Sequence, residues 1–180
     1  MYFCDGGQEI KDAIGLSGEP WRPLSRWVVT DNPHVREHTI RTLWDAMIAR
    51  EDYRAKYASL WNQTAEADPA GRDNGGGGRM VDVILCPVGP GVAPKLDCAR
   101  YWGYTSQWNL LDYPALVFPV GGDHVDPNKD GVPGYPEEYT PRNESDAYNR
   151  EQWRKHGVEG YKDAPISLQL VARRYVVEMH

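Results

Sequence analysis

No run of apolar residues in this chain approaches the ~20 needed to span a bilayer, and the opening MYFCDGGQEI lacks the basic start and long apolar stretch of a secretory signal. Together these absences predict a soluble protein. Cysteine is scarce as well. Cys4, Cys86 and Cys98 form neither an even set of pairs nor a Cys-x-x-Cys spacing, which excludes a disulfide framework and predicts a reducing compartment, the cytoplasm by default. Basic blocks are missing too: 20 Lys+Arg against 26 Asp+Glu leave a net charge of −6 with no basic stripe, so nucleic acid and anionic membrane are poor partners and neutral or small substrates are expected. There is no internal repeat. What the chain has in quantity is 18 Gly and 14 Pro, which predict many irregular connections between its regular elements.

A chain of 180 residues is long enough for one ordinary domain, and one of this size buries roughly 70% of its unfolded surface if it folds alone. Punctuation by Gly and Pro dominates residues 1–33, with one short helix over Gln8 to Ile14. Asn32-Pro33 suits an N-cap and first helical position, after which Ile40, Leu43, Trp44, Met47 and Ile48 fall on one helical face. Tyr53, Tyr57, Leu60 and Trp61 resume the pattern after a phase change near Glu51-Asp52, predicting a bend or a second helix, both pieces lying on a sheet. Residues 64–79 are polar and end in Gly75-Gly76-Gly77-Gly78, a flexible loop. Residues 121–163 are loop-rich apart from a helix over Asp146 to His156 capped by Gly157. In the final stretch Ile166, Leu168 and Leu170 alternate with Ser167 and Gln169, the period-two signature of a strand with its leucines buried.

The stretch from Val81 to Gly122 organises the rest. Val81, Val83, Ile84 and Leu85 form an apolar run ended by Pro87, Leu116, Val117 and Phe118 form another ended by Pro119, and both read as buried strands. Between them Tyr101, Trp102, Tyr104 and Trp108 stand beside Thr105, Ser106, Gln107 and Asn109, the mixture of apolar wall and few polar groups expected of a small-molecule pocket. Composition alone favours the alternative, a core role for the same aromatics.

Motifs for other chemistry are weak. His34-Val35-Arg36-Glu37-His38 has the H-x-x-E-H spacing, which on a helix would set two imidazoles one turn apart around zinc, but it lacks a third ligand and reads as a solvated face. Asp126, Asn128, Asp130, Gly131 and Glu137 satisfy a calcium-loop pattern, yet Pro127, Pro133 and Pro136 interrupt it and no flanking amphipathic helices support it, so a solvated acidic loop is expected. The glycine run precedes Arg79-Met80 rather than Lys-Ser or Lys-Thr, which removes a phosphate-cradling loop. Ser17, Ser25, Ser59, Ser106, Ser145 and Ser167 all lie outside a Gly-x-Ser-x-Gly turn, and no histidine is identifiable as a partner for a cysteine. No catalytic residue, metal site or cofactor is therefore assigned.

The order DVILCP, YTSQWNLLDYPALVFPV and APISLQLVARRY, together with REDYRAKYASLWNQT and the Tyr139 to Glu144 pattern, resembles the C-terminal part of amidase-signature enzymes, especially fungal acetamidases and general amidases. The resemblance implies an α/β fold, a partial amidase-signature fold with helices packed on part of a mixed β-sheet and long loops, residues 1–180 forming the C-terminal portion of a single amidase domain. It implies hydrolysis of carboxamides through a Lys, cis-Ser, Ser triad. That triad belongs to the N-terminal part of the family, and here no Gly-Gly-Ser-Ser-Gly stretch occurs, while Lys11, Lys56, Lys95, Lys129, Lys155 and Lys162 fall in no matching context. The resemblance thus implies about the last third of such an enzyme, inactive by itself, that lines a carboxamide pocket with Tyr104, Thr105, Trp108 and Asn109. It also implies a truncated final helix after Arg173-Arg174-Tyr175 and a sheet left with an exposed edge and an uncovered apolar face. A non-catalytic module that binds small molecules or regulates a full-length relative is the alternative. Oligomeric state is not assigned.

Overall fold

The computed structural model describes residues 3–65, 80–130 and 138–174, which group into two compact units, Met1–Arg79 and Met80–His180. The tetraglycine, Gly131 and Glu137 of the acidic loop, and the chain end from Tyr175 lie outside the described residues. Among the described residues no helix is long and apolar enough to cross a membrane.

The first unit is helical. Helix α1 (Gln8–Ser17) is three residues longer than expected and starts where the Asp5 carboxylate accepts from the Gly7 and Glu9 amides at 2.9 and 2.7 Å. Those N–H groups have no partner inside the helix, so the anion both caps it and is held below the usual carboxylate range, chiefly by the Glu9 amide. Gly7 has φ +76, and a Cβ there would run into Cγ1 of the buried Val29. Helix α2 (Pro23–Arg26) opens on a proline, as first helical positions favour, and runs into a wider π-helical turn over Trp27–Asp31.

Helix α3 (Ile40–Gln63) departs from expectation in three ways. It starts after Thr39, whose hydroxyl accepts from the Thr42 amide, and not at Asn32-Pro33. Asn32 does accept from the His34 amide at 3.0 Å, but its side chain closes a local turn, because Asx turns and helix caps use the same bond. The chain then runs extended: Glu37 bridges Asp5 and the His38 amide donates to the Cys4 carbonyl. Secondly, α3 is continuous for 24 residues. The phase change at Glu51-Asp52 alters which face is apolar without supplying a Gly or Pro to break the helix, and Arg50 and Arg54 both pair with Glu51 across it. Thirdly, its first apolar stripe is largely exposed: Trp44 is 63% exposed, Ile40, Met47 and Ile48 are exposed with it, and Leu43 is half-buried. Spacing identifies a face that needs cover but not what supplies the cover.

The second unit carries a three-stranded sheet in the order β1-β3-β2, from β1 (Val83–Pro87), β2 (Ala115–His124) and β3 (Pro165–Ala172). The last strand in sequence is thus the central one, antiparallel to both neighbours. Strand β2 runs on past Pro119, which is tolerated because an edge strand need not donate there, and its register shifts between Pro119 and His124. Two helices complete the unit: α4 (Gly103–Leu111) between β1 and β2, and α5 (Glu144–Gly160) before β3.

The buried face of this sheet is the reverse of the alternation in Ile166-Ser167-Leu168-Gln169-Leu170. Gln169 is 1% and Val171 0% exposed, while Leu168 and Leu170 face the other way and are only half-buried. Val83, Leu85 and Leu116 lie on the leucine side and are exposed rather than buried, and Val117, opposite Gln169 at the edge of the other face, is 52% exposed as well. A strand with one buried glutamine presents the same period as one with two buried leucines, and only a partner for the amide decides between them.

Helix α5 shows why residues Tyr139 to Glu144 carry a recognisable pattern. Asn143 caps the helix through the Asp146 amide at 2.9 Å, the Asp146 carboxylate accepts from the Tyr139 hydroxyl at 2.6 Å and the Arg142 amide at 2.8 Å, and Arg150 Nη1 donates to the Tyr139 carbonyl. The helix breaks at Gly157, as expected, with φ +60, and the turn brings Tyr161 back to stack on Trp153 at 5.4 Å. The Asp146 carboxyl is held below the usual range, first by the Arg142 amide and then by the Tyr139 hydroxyl. A depressed carboxyl contributes its stability above its unfolded value, about 4, and loses it as pH falls through the folded one. Hydrogen-exchange protection of the first α5 turn is therefore expected to fall below about pH 4, and Asp146→Asn is expected to abolish that acid response.

Candidate functional site

The four residues expected to line a pocket occupy α4, and the structure gives them different environments. Tyr104 is exposed, Thr105 half-buried, Asn109 exposed, and Trp108 buried together with Leu111. At helical spacing Tyr104 lies one turn from Trp108, and Thr105 one turn from Asn109, so the four make two adjacent ridges. The Tyr101 ring meets the Tyr104 ring edge-on at 5.9 Å, and the Thr105 hydroxyl donates back to the Trp102 carbonyl at 3.2 Å. Such an arrangement offers an aromatic surface with a hydroxyl and a carboxamide beside it, suited to a small ligand with one planar polar group.

Both ends of α4 are pinned. At its start Gln169 Nε2 donates to the Tyr104 carbonyl and to the Pro87 carbonyl, each at 2.7 Å, so one buried amide ties the end of β1, the middle of β3 and the first turn of α4 together. The helix ends at Asp112 in the left-handed region, φ 60, with its amide donating to the Asn109 carbonyl. Asp112 also pairs with Arg174 at 3.0 Å, one residue pair that links the turn before β2 to the residues after β3. The sequence reading assigned Gln169 to an open face and missed it. A signal existed, in that apolar residues surround it on both sides with no turn residue to excuse a polar one.

Nucleophiles are not gathered here. Burial pushes the Cys86 thiol up, partly offset by its hydrogen bond with Gln169, which makes it a poor attacking group at neutral pH. The Ser17 hydroxyl donates to the Ile14 carbonyl, Lys11 donates to the Gly6 carbonyl, and Lys95 lies 5.8 Å over the Tyr161 ring. His34 and His38 are not on a helix, and His38 Nδ1 lies 3.2 Å from the Thr42 hydroxyl, so the zinc-like spacing does not become a zinc-like geometry. In the acidic loop Asp126 accepts from both nitrogens of Asn128 and lies 3.8 Å from Lys129, while Asp130 accepts from the Asp126 amide. These oxygens serve the loop's own turns. Among the described residues no group of three His, Cys, Asp or Glu side chains could hold a metal ion.

Comparison with known proteins gives a consistent result. The sequence profile of the Amidase family matches residues 22–178. A protein of Schizosaccharomyces pombe that carries an amidase name is 43% identical over 175 residues, covering 97% of this chain and 28% of that protein. The acetamidase of Emericella nidulans is 30% identical over 174 residues, again 97% of this chain and 28% of that protein. Among solved structures, a fatty acid amide hydrolase superposes with a TM-score of 0.77 at 28% identity, covering 98% of this chain and 28% of that one. The chain therefore spans little more than a quarter of the length of the relatives it matches.

Proposed function

The chain belongs to the amidase family, and from that premise we propose that it supplies one wall of a carboxamide pocket through Tyr104, Thr105, Trp108 and Asn109, while the attacking groups lie elsewhere in the complete enzyme. In sequence and fold it is the C-terminal region of an amidase-signature enzyme. The observation that carries the reading is the helix α4 itself, which Gln169 fixes to the sheet with Tyr104 and Asn109 left facing solvent. A planar amide fits such a surface: its face lies against Tyr104, its NH2 donates to the Thr105 hydroxyl oxygen, whose own proton goes to the Trp102 carbonyl, and its carbonyl accepts from the Asn109 side-chain amide.

The complete reaction converts carboxamide and water to carboxylate and ammonia. It needs an activated nucleophile and donors for the oxyanion. Cys86 is raised by burial, and Lys11, Lys95 and Lys129 are each engaged in local structure, which supports placing catalysis outside this chain. Ammonia release from simple carboxamides is the direct test. The purified chain is expected to give none above the uncatalysed rate, and turnover that Ser106→Ala or any other serine substitution within this chain removes would overturn the reading.

A further inference from the structure

Three exposed aromatic side chains stand where the chain enters α4: Tyr101 is 46%, Trp102 40% and Tyr104 38% exposed. Neighbouring aromatic rings left open to water mark a place where a ligand gains by covering them. Helical side chains lean toward the start of their helix, which carries the Tyr104 ring back toward Tyr101. The two rings meet at an interplanar angle of 79° with centroids 5.9 Å apart, so they form the two walls of a corner.

The Tyr101 ring is held in that corner from two sides. Toward α4 it lies over Gly103, where an added Cβ would collide with the tyrosine Oη, so the ring takes up room that glycine leaves. On the other side, the connection that carries it is fastened to α5, to the turn after α5 and to β3. The Arg100 guanidinium lies 4.6 Å over the Tyr148 ring, the Lys95 ammonium lies 5.8 Å over the Tyr161 ring, and the Ala93 amide donates to the Pro165 carbonyl at 3.3 Å. A cation over a ring is attracted to its electron-rich face, and Arg100 is the residue directly before Tyr101. The corner is thus built before any ligand arrives, which lowers the ordering cost of binding.

We propose that Tyr101 is a specificity-determining residue of the α4 wall, selecting carboxamides with an aromatic acyl part over small aliphatic ones. This selection rests on the pocket assigned to α4 under the proposed function and names the substrate class that pocket takes. An amide held by Thr105 and Asn109 can run its acyl part toward the start of the helix, where Tyr101 and Tyr104 meet. A flat aryl group continues the plane of the amide, so it lies against one ring while its edge meets the other. A methyl group is too small to touch both rings, and a saturated ring is too thick to lie flat between them.

The test is titration of the purified chain with benzamide, cyclohexanecarboxamide and acetamide, followed through the backbone amide NMR signals of Tyr104, Thr105 and Asn109. Benzamide is expected to bind about tenfold more tightly than acetamide and about threefold more tightly than the saturated ring of similar size. Tyr101→Ala is expected to bring the three to within about twofold of one another, with acetamide binding and the melting transition as in the wild-type chain. Tyr101→Phe is expected to keep the preference. Gly103→Ala displaces the ring without removing it and is expected to weaken benzamide binding alone, which keeps the proposal testable if Tyr101→Ala does not fold. No preference in the wild-type chain, or a preference undiminished in either folded variant, would overturn the proposal and leave the pocket in place. Probes that shift none of the three α4 signals would remove the pocket itself, and the selection with it.

Discussion

Gln169→Glu is expected to remove the cooperative melting transition of the 80–174 region or lower its midpoint by more than 10 °C. The wild-type amide donates two 2.7 Å hydrogen bonds to carbonyl oxygens, from a side chain 1% exposed. A carboxylate of the same size can only accept, so it sets a buried anion against the Pro87 and Tyr104 carbonyls. Losing the two donated bonds costs about 1–3 kcal/mol each, and burying an unpaired charge adds several more. One kcal/mol moves the midpoint of a domain of this size by roughly 4–8 °C. Gln169→Leu separates the contributions, since it removes both donors without adding charge and is expected to cost about 2–5 kcal/mol. Far-UV circular dichroism during a thermal scan measures both. A melting curve unchanged in both variants would show that the amide is not the link between β3 and α4.

Trp108→Ala carries the second large effect, and its value lies in the contrast with Asn109→Ala. Trp108 is buried on α4, so truncation leaves a cavity and is expected to cost about 3–5 kcal/mol. Asn109 next to it is exposed, and its replacement is expected to change stability by less than about 0.5 kcal/mol. In an assembled, active enzyme the order should invert in the catalytic readout. Asn109→Ala is expected to raise KM or lower kcat/KM for a carboxamide while the melting curve stays put. If Asn109→Ala left kcat/KM unaltered, α4 would be a packing element and the pocket wall would have to be sought elsewhere. Urea denaturation and steady-state ammonia release measure the two sides of the contrast.

Much of this could be read from residues alone because the signals were local. Pro87 ends β1 and Gly157 breaks α5, since each depends on backbone chemistry within a few residues. Family membership was legible for a different reason: blocks such as YTSQWNLLDYPALVFPV combine several unusual residues in a fixed order, which chance rarely reproduces. The misreadings share a cause. Asn32 could open a helix or close a turn with the same side-chain bond, and the choice fell to the pairing of Glu37 with Asp5, more than 30 residues away in sequence.

The sequence by itself determined the family, the sites of most helices and strands, and the scarcity of groups able to attack an amide. It could do so because composition, turn chemistry and residue order are properties of neighbours. Only the tertiary structure decided which side of the sheet is inside, since the alternation around Gln169 is symmetric and the two carbonyls that accept from it arrive from residues 65 and 82 positions away. With that amide satisfied, the glutamine goes in and the leucines go out.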